Sequence, residues 1–251
     1  MEDGQQHKYK IAAVIQARMG STRLPGKILK KLPYSSKTTI IDVIIDRIGA
    51  SKYINAIEVV TSINKKDDQL ENHIKTKNNI SLFRGDENDV LSRFVAVQSK
   101  FKYDYIVRLT ADNPCVHHEL IDKVINDHIE KKADYTYSIS YPLGMNIEVI
   151  SGYCFENLQE DKLTLEEKEH VTLFFKNNPN HYKLNFFKDF HYSGLDKLRL
   201  TVDTKEDYLT QCALFKYFQP NIAFNLDDIV MLYEREHWIF EINKEIIQKK
   251  V

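Results

Sequence analysis

Between residues 16 and 27 the chain reads QARMGSTRLPGK, a turn that sets Arg18, Arg23 and Lys27 around Gly20, Ser21 and Thr22. Guanidinium groups grip phosphate oxygens in pairs, an ammonium adds a point charge, and small residues leave backbone amides open to an anion. That chemistry suits a triphosphate. A Walker A loop needs four residues between its glycines and a hydroxyl residue after its lysine. Here five residues separate Gly20 from Gly26, and Ile28 follows Lys27. A dinucleotide-binding Gly-x-Gly-x-x-Gly is also absent, because no glycine lies two places from Gly20. The alternative reading of the turn is an ordinary basic surface loop.

Acidic candidates lie far along the chain. Asp112 follows the apolar run YIVRLT, and Asp203 follows LRLTV. If both runs are strands of one sheet, both carboxylates emerge at the edge where the basic loop opens, and a divalent metal on a nucleotide needs such oxygen ligands. Each has a structural alternative. Asp112 would cap the turn before Pro114, and Asp203 would cap the next helix with Glu206 as its partner.

The elements that must position these groups follow from apolar patterning. KIAAVIQA (10–17) reads as a strand buried on both faces, TIIDVIIDRIGA (39–50) as an amphipathic helix and AIEVVTS (56–62) as a second strand. A short helix near 65–77, a strand ISLFRG (80–85) and a helix opening with carboxylates at ENDV follow. Then come a strand over 103–112 and a helix from His117. Strands alternating with helices imply parallel pairing by right-handed crossovers, hence an α/β fold with an open, mostly parallel sheet and helices on both faces. Ligands bind such sheets beyond the carboxyl ends of the strands. After residue 138 the rhythm changes. A run NIEVIS (146–151), one helical stretch near 164–177 and HYKLNFF (181–187) read as a small mixed α+β flap, about 139–195, inserted in a single domain spanning 1–251. KLRLTVDT (197–204) reads as a returning core strand, followed by the helix KEDYLTQCALFKYF.

With 251 residues and 43% hydrophobic content the chain suffices for one sizeable core. Its net charge of −1 argues against nucleic-acid or membrane partners, yet no acid occurs from Gly4 to Ile41 while lysines and arginines concentrate there, as at a site for a small polyanion. No apolar run is long enough to span a bilayer and MEDGQQHKYK is no signal peptide, so a soluble cytoplasmic protein is expected. Cys115, Cys154 and Cys212 are scattered, which favours neither a disulfide framework nor a zinc site.

The segment IQARMGSTRLPGKIL resembles the signature A-R-x-x-S-x-R-L-P-x-K of the cytidylyltransferases that activate acidic sugars, such as 3-deoxy-manno-octulosonate and acylneuraminate cytidylyltransferases. Within that group it is most similar to the spore-coat polysaccharide biosynthesis protein F family. FRGDENDVLSRF (83–94), VRLTADNP (107–114), EVIS (148–151), KEHVT (168–172) and LRLTVDTKEDY (198–208) agree in the same order, so the likeness covers about residues 9–235. It implies a nucleotide-diphospho-sugar transferase-like (Rossmann-like) fold and transfer of CMP from CTP to an acidic sugar or similar acceptor, with release of pyrophosphate, for surface polysaccharide or glycoconjugate biosynthesis.

The resemblance also implies roles. Arg18, Arg23 and Lys27, with Gly20, Ser21 and Thr22, would hold the triphosphate; Asp112 and Asp203 would ligate Mg2+, with Asp207 a weaker third candidate. Arg84, Gly85 and Asp86, and more loosely Arg93, would lie near the base and ribose. Glu148 and His170 would line the acceptor pocket, and a homodimer is expected. Ala111 and Asn113 stand where relatives commonly carry glycine and cysteine, and Asn146 and Lys168 replace an acid and an arginine. These departures leave open whether the acceptor is an acidic sugar or a phosphorylated or phosphonylated small molecule. A metal-dependent glycosyltransferase of related fold and a non-catalytic nucleotide-binding protein are the alternatives. The first calls for a D-x-D after a strand, and TADNP offers one aspartate.

Overall fold

The computed structural model describes residues 8–158, 162–189 and 195–248. IAAVIQ forms β1 (Ile11–Gln16), which is almost wholly buried. Successive strand residues face opposite sides, and β1 feeds two cores accordingly. Ile11, Ala13 and Ile15 join one, Ala12 and Val14 the other. A polar residue on either face would forfeit packing, which is why this strand reads as an unbroken apolar run.

The chain continues through α1 (Ile40–Ile48), β2 (Ala56–Ser62), α2 (Asp68–Ile74), β3 (Ile80–Gly85), α3 (Val90–Phe101), β4 (Tyr105–Thr110) and α4 (His118–Lys131). It then passes β5 (Tyr135–Ser138), β6 (Glu148–Ser151), α5 (Gly152–Glu156), α6 (Leu165–Glu169), α7 (Leu173–Asn177) and β7 (Leu184–Phe187), and closes with α8 (Lys205–Phe218), α9 (Leu226–Arg235) and α10 (Trp238–Glu241). The seven strands form one sheet in the order β3-β2-β1-β4-β6-β5-β7. β3, β2, β1 and β4 run parallel, and β6 is antiparallel to both β4 and β5. One face is covered by α1, α4, α8 and α9, the other by α3, α5 and α7.

Helix starts obey local chemistry. Thr39 with Asp42, Thr204 with Asp207 and Asn225 with Asp228 form reciprocal capping boxes, each worth about 1 kcal/mol.

The 139–195 stretch, expected as a flap, supplies β6 and β7 to this sheet, and β6 lies centrally between β4 and β5. The single helix expected at 164–177 is two short ones, broken where His170 takes φ −105° and ψ 79°. The strand expected at 197–204 is an extended segment with a single parallel bridge, Arg199 to Leu143. Its partners are loops: Leu143 N donates to Leu198 O, Leu200 N to Leu143 O and Val202 N to Asp112 O. Gly144 permits this approach. Its φ is +101°, and a Cβ there would meet Thr201 N at 2.6 Å.

Candidate active site

The basic loop leaves β1 at Ala17 and curls around one carbonyl, with Ser21 N and Gly26 N both donating to Met19 O. Gly26 makes the exit at φ +65°, a region costly for any residue with a Cβ. The loop is anchored from the β2 side. Asp67, 2% exposed, accepts from Met19 N at 2.7 Å while also taking Ser62 N and Ser62 Oγ. Nothing in the sequence around Asp67 marks it for this work.

Beyond the ends of β1 and β4 this loop borders a cleft of about 230 Å³. Arg18, Gly20, Ser21, Thr22, Arg23 and Lys27 line it together with Asp112 and Asp203. A Cβ on Gly20 would meet no atom within 4 Å, so that position faces open space.

The two distant aspartates meet at one ammonium. Lys27 Nζ donates to Asp112 Oδ2 at 2.8 Å, Asp203 Oδ1 at 2.9 Å and the Val202 carbonyl at 2.7 Å. Asp203 Oδ2 is paired with Arg23 at 3.1 Å and Arg199 at 3.0 Å. Burial alone would push the Asp203 carboxyl up, but the charges of Lys27, Arg23 and Arg199 outweigh it and hold the pKa below the ordinary aspartate value. Thr110 Oγ1 donates to Asp112 Oδ1 at 2.7 Å and fixes the second carboxylate.

Asp203 does not cap α8. Thr204 does, and the reciprocal partner is Asp207 instead of Glu206. Asp207 is fully buried and accepts from Asp203 N, Thr204 N, Arg199 and Asn243, so its oxygens are committed to the protein.

A second cleft, of about 480 Å³, shares Arg23, Thr110, Asp112 and Asp203 with the first. Its far wall includes Arg108, Tyr137, Asn146, Glu148, Lys176 and Gln248. Glu148 is buried and accepts from Arg108 at 2.6 Å, from Thr172 at 2.8 Å and from Tyr135, with Lys176 at 3.3 Å. Burial opposes its charge, but Arg108 and Lys176 prevail and bring its pKa to about 2. Glu148 thus organises the wall by holding cations in place. His170 ends α6 and is not among the residues lining either cleft.

Arg84, Gly85 and Asp86 lie at the end of β3, beyond β2 from the loop. The Arg84 guanidinium is spent on Ser62 O, Asn64 O, Asp68 and Glu71. Gly85 makes room for Arg93, whose Cγ would lie 2.9 Å from a Cβ there, and Arg93 donates to the carbonyls of Asp86 and Glu87. None of the three lines the 230 Å³ cleft. Burial first, and then the nearby charge of Arg18, depress the Arg93 pKa.

A cationic loop at the switch of a parallel sheet, facing two carboxylates and opening into a second cleft, is the arrangement that nucleotidyl transfer calls for. The profile of the cytidylyltransferase family matches residues 12–246, and the chain belongs to that family. It is 36% identical over 230 residues to the spore coat polysaccharide biosynthesis protein SpsF of Bacillus subtilis, covering 90% of this chain and 94% of the relative. A cytidylyltransferase from Leptospira borgpetersenii superposes with a TM-score of 0.85 at 28% identity, over 96% of this chain and all of that one. The synthetase of CMP and 2-keto-3-deoxy-manno-octonic acid, solved with CTP, shares the fold, with a TM-score of 0.62 at 16% identity over 83% of this chain and 99% of that one. The chain is therefore a CTP-dependent nucleotidyltransferase that transfers CMP from CTP and releases pyrophosphate.

Proposed function

We propose that the 230 Å³ cleft takes CTP, that the 480 Å³ cleft takes an acidic sugar or a phosphorylated or phosphonylated small acceptor, and that the two react across their common border. The observation that carries this reading is the sharing of Arg23, Thr110, Asp112 and Asp203 by both clefts. An acceptor oxygen entering from one side attacks the α-phosphorus, forming a P–O bond as the bond to the β-phosphate oxygen breaks and pyrophosphate leaves. Arg18, Arg23 and Lys27 hold the phosphates and stabilise their charge, which is the main demand of such transfers. On the acceptor side Arg23 and Lys176 keep 32% and 41% of their side chains exposed and are the cations best placed to meet an acidic group.

The donor set suits magnesium. Asp112 Oδ2 and Asp203 Oδ1 converge on a single cation, Lys27, and among the described residues no group of three or more His, Cys, Asp or Glu is arranged for a metal. Magnesium characteristically takes one or two carboxylates and completes its shell with water and substrate phosphates. Asp112 and Asp203 would hold it, and it would neutralise phosphate charge.

The reading extends to surface polysaccharide or glycoconjugate biosynthesis, as the name of the Bacillus relative suggests, and to the cytoplasm, where CTP is made. It is in keeping that no helix of the described residues is long and apolar enough to cross a membrane. A homodimer belongs to it as well, supported by Phe186, 55% exposed on edge strand β7, and checked by sedimentation velocity. The deciding experiment measures pyrophosphate release from CTP and magnesium with a panel of acidic sugars and phosphorylated or phosphonylated acceptors, using Asp203→Asn as the control. Release that requires one acceptor class and vanishes in the variant supports the reading. Turnover of finished nucleotide sugars alone, or full activity in the variant, overturns it.

A further inference from the structure

Asp203 is steered by a residue that itself takes four bearings. The Arg199 side chain, 8% exposed, donates Nε to Asp207 Oδ1 at 2.7 Å and Nη2 to both Asp207 Oδ2 and Asp203 Oδ2 at 3.0 Å. Its Nη1 donates to Gln248 Oε1 at 2.5 Å. Asn243, 3% exposed, donates Nδ2 to the Arg199 carbonyl at 3.1 Å and to Asp207 Oδ1 at 2.8 Å. Asp207 Oδ2 also accepts from Asp203 N at 2.9 Å, so backbone and carboxylate of Asp203 are held by one network.

Two features go beyond stability. A guanidinium bonded on three edges has a fixed plane, and a carboxylate hydrogen-bonded to it inherits that orientation, as outer partners orient metal-ligating carboxylates generally. Gln248, moreover, lines the acceptor cleft and touches the rest of this network through Arg199. An isolated ion pair added for stability alone would have no reason to end in the substrate cleft.

We propose that Arg199, by holding Asp203 Oδ2, is a positioning residue that sets the Asp203 carboxylate so that Oδ1 faces its metal, and that Asn243 and Gln248 of segment 243–248 brace it, so that Gln248 ties the acceptor cleft to the metal-holding carboxylate. This rests on Asp203 being a metal ligand, as read above.

The test compares the affinity of each variant for Mn·CTP with its affinity for metal-free CTP in chelator, by calorimetry without acceptor. The ratio reports what the metal adds. Arg199→Lys keeps the charge but cannot span two carboxylates, and the ratio should fall about tenfold, the lower range for outer-sphere metal partners. Gln248→Ala removes an exposed side chain, so its fold and melting temperature should stand, while the ratio falls by less than in Arg199→Lys, because Gln248 acts on Asp203 only through Arg199, and the KM for the acceptor rises. Gln248→Glu, which keeps an acceptor for Nη1, should restore the ratio. A purely structural network would weaken both affinities together and leave the ratio at the wild-type value. That result in Gln248→Ala and in folded Arg199→Lys, with Asp203→Asn impaired, overturns the proposal. A wild-type ratio in Asp203→Asn overturns instead the assignment of Asp203 on which it rests.

Discussion

Replacing Lys27 by alanine removes the ammonium on which both aspartates converge, at 2.8 and 2.9 Å. Breaking a buried pair by deleting one partner costs about 3–5 kcal/mol when the remaining charge is left alone. Asp203 keeps Arg23 and Arg199, and the Asp112 side chain is 27% exposed. The loss in unfolding free energy should therefore sit at or below the low end, about 2–3 kcal/mol. Magnesium should then act differently on the two proteins. In the variant the two carboxylates have no competing ammonium, and free ion at ten times its Kd should return about 1.4 kcal/mol. In the wild type the ion must displace Lys27 and stabilise less. Urea unfolding in chelator and in saturating magnesium reads both effects, and kcat/KM for CTP should drop by about 100-fold. Equal magnesium stabilisation of both proteins, or none in either, would refute the reasoning that Lys27 stands where the metal is held.

Asp67→Asn should cost about 2 kcal/mol, because it turns a donor toward amides that now share a buried acceptor, and it should raise the KM for CTP; calorimetric CTP affinity equal to wild type would show that the loop holds its shape without this anchor. Burial lowers the pKa of His128 from 6.5 to about 4, and His117 likewise, to about 4. The unfolded imidazoles take up protons below pH 6.5 while the folded ones resist, so stability is unaffected above that value and declines as pH falls toward 4. Each should contribute a loss of about 1.5 kcal/mol between pH 6.5 and 5, and His128→Gln should remove roughly half of that slope in urea titrations. Identical slopes in the two proteins would exclude His128 as a source.

Elements bounded by strong local chemistry were legible in the sequence. AIEVVTS and ISLFRG coincide with β2 and β3, and KEDYLTQCALFKYF with α8, because β-branched runs and a Thr-Asp capping box depend on neighbours close in the chain. The stretch LRLTVD misled for a physical reason. Apolar alternation reports burial, and this segment is buried, but against the loops at Leu143 and Asp112. The order of β6 and β7 in the sheet was likewise hidden, since periodicity does not say which strand a strand pairs with. At the candidate site, the motif picked out the basic loop and the two aspartates that the structure brings together, yet Arg199, Asp67, Asn243 and Gln248 escaped notice. Asp67, Asn243 and Gln248 act through partners at sequence separations that only folding closes, such as Asp67 to Met19 and Asn243 to Asp207. Arg84 was the converse case, an arginine in a matched segment whose donors go to α2 and to the Ser62 and Asn64 carbonyls at and just past the end of β2.

Arg23 and Lys27 against Asp112 and Asp203, with the buried pair Arg199 and Asp207 behind them, leave the border between the clefts electrically neutral in the free protein. A bare polyphosphate entering there finds cations whose counterions are already in place, with Arg18 the further charge on the rim. On the proposed reading, such a site would discriminate against naked anions and favour those that travel with their own divalent partner. It would also release readily a product that departs with that partner, which for an enzyme generating pyrophosphate at every turnover would limit clogging by its own waste.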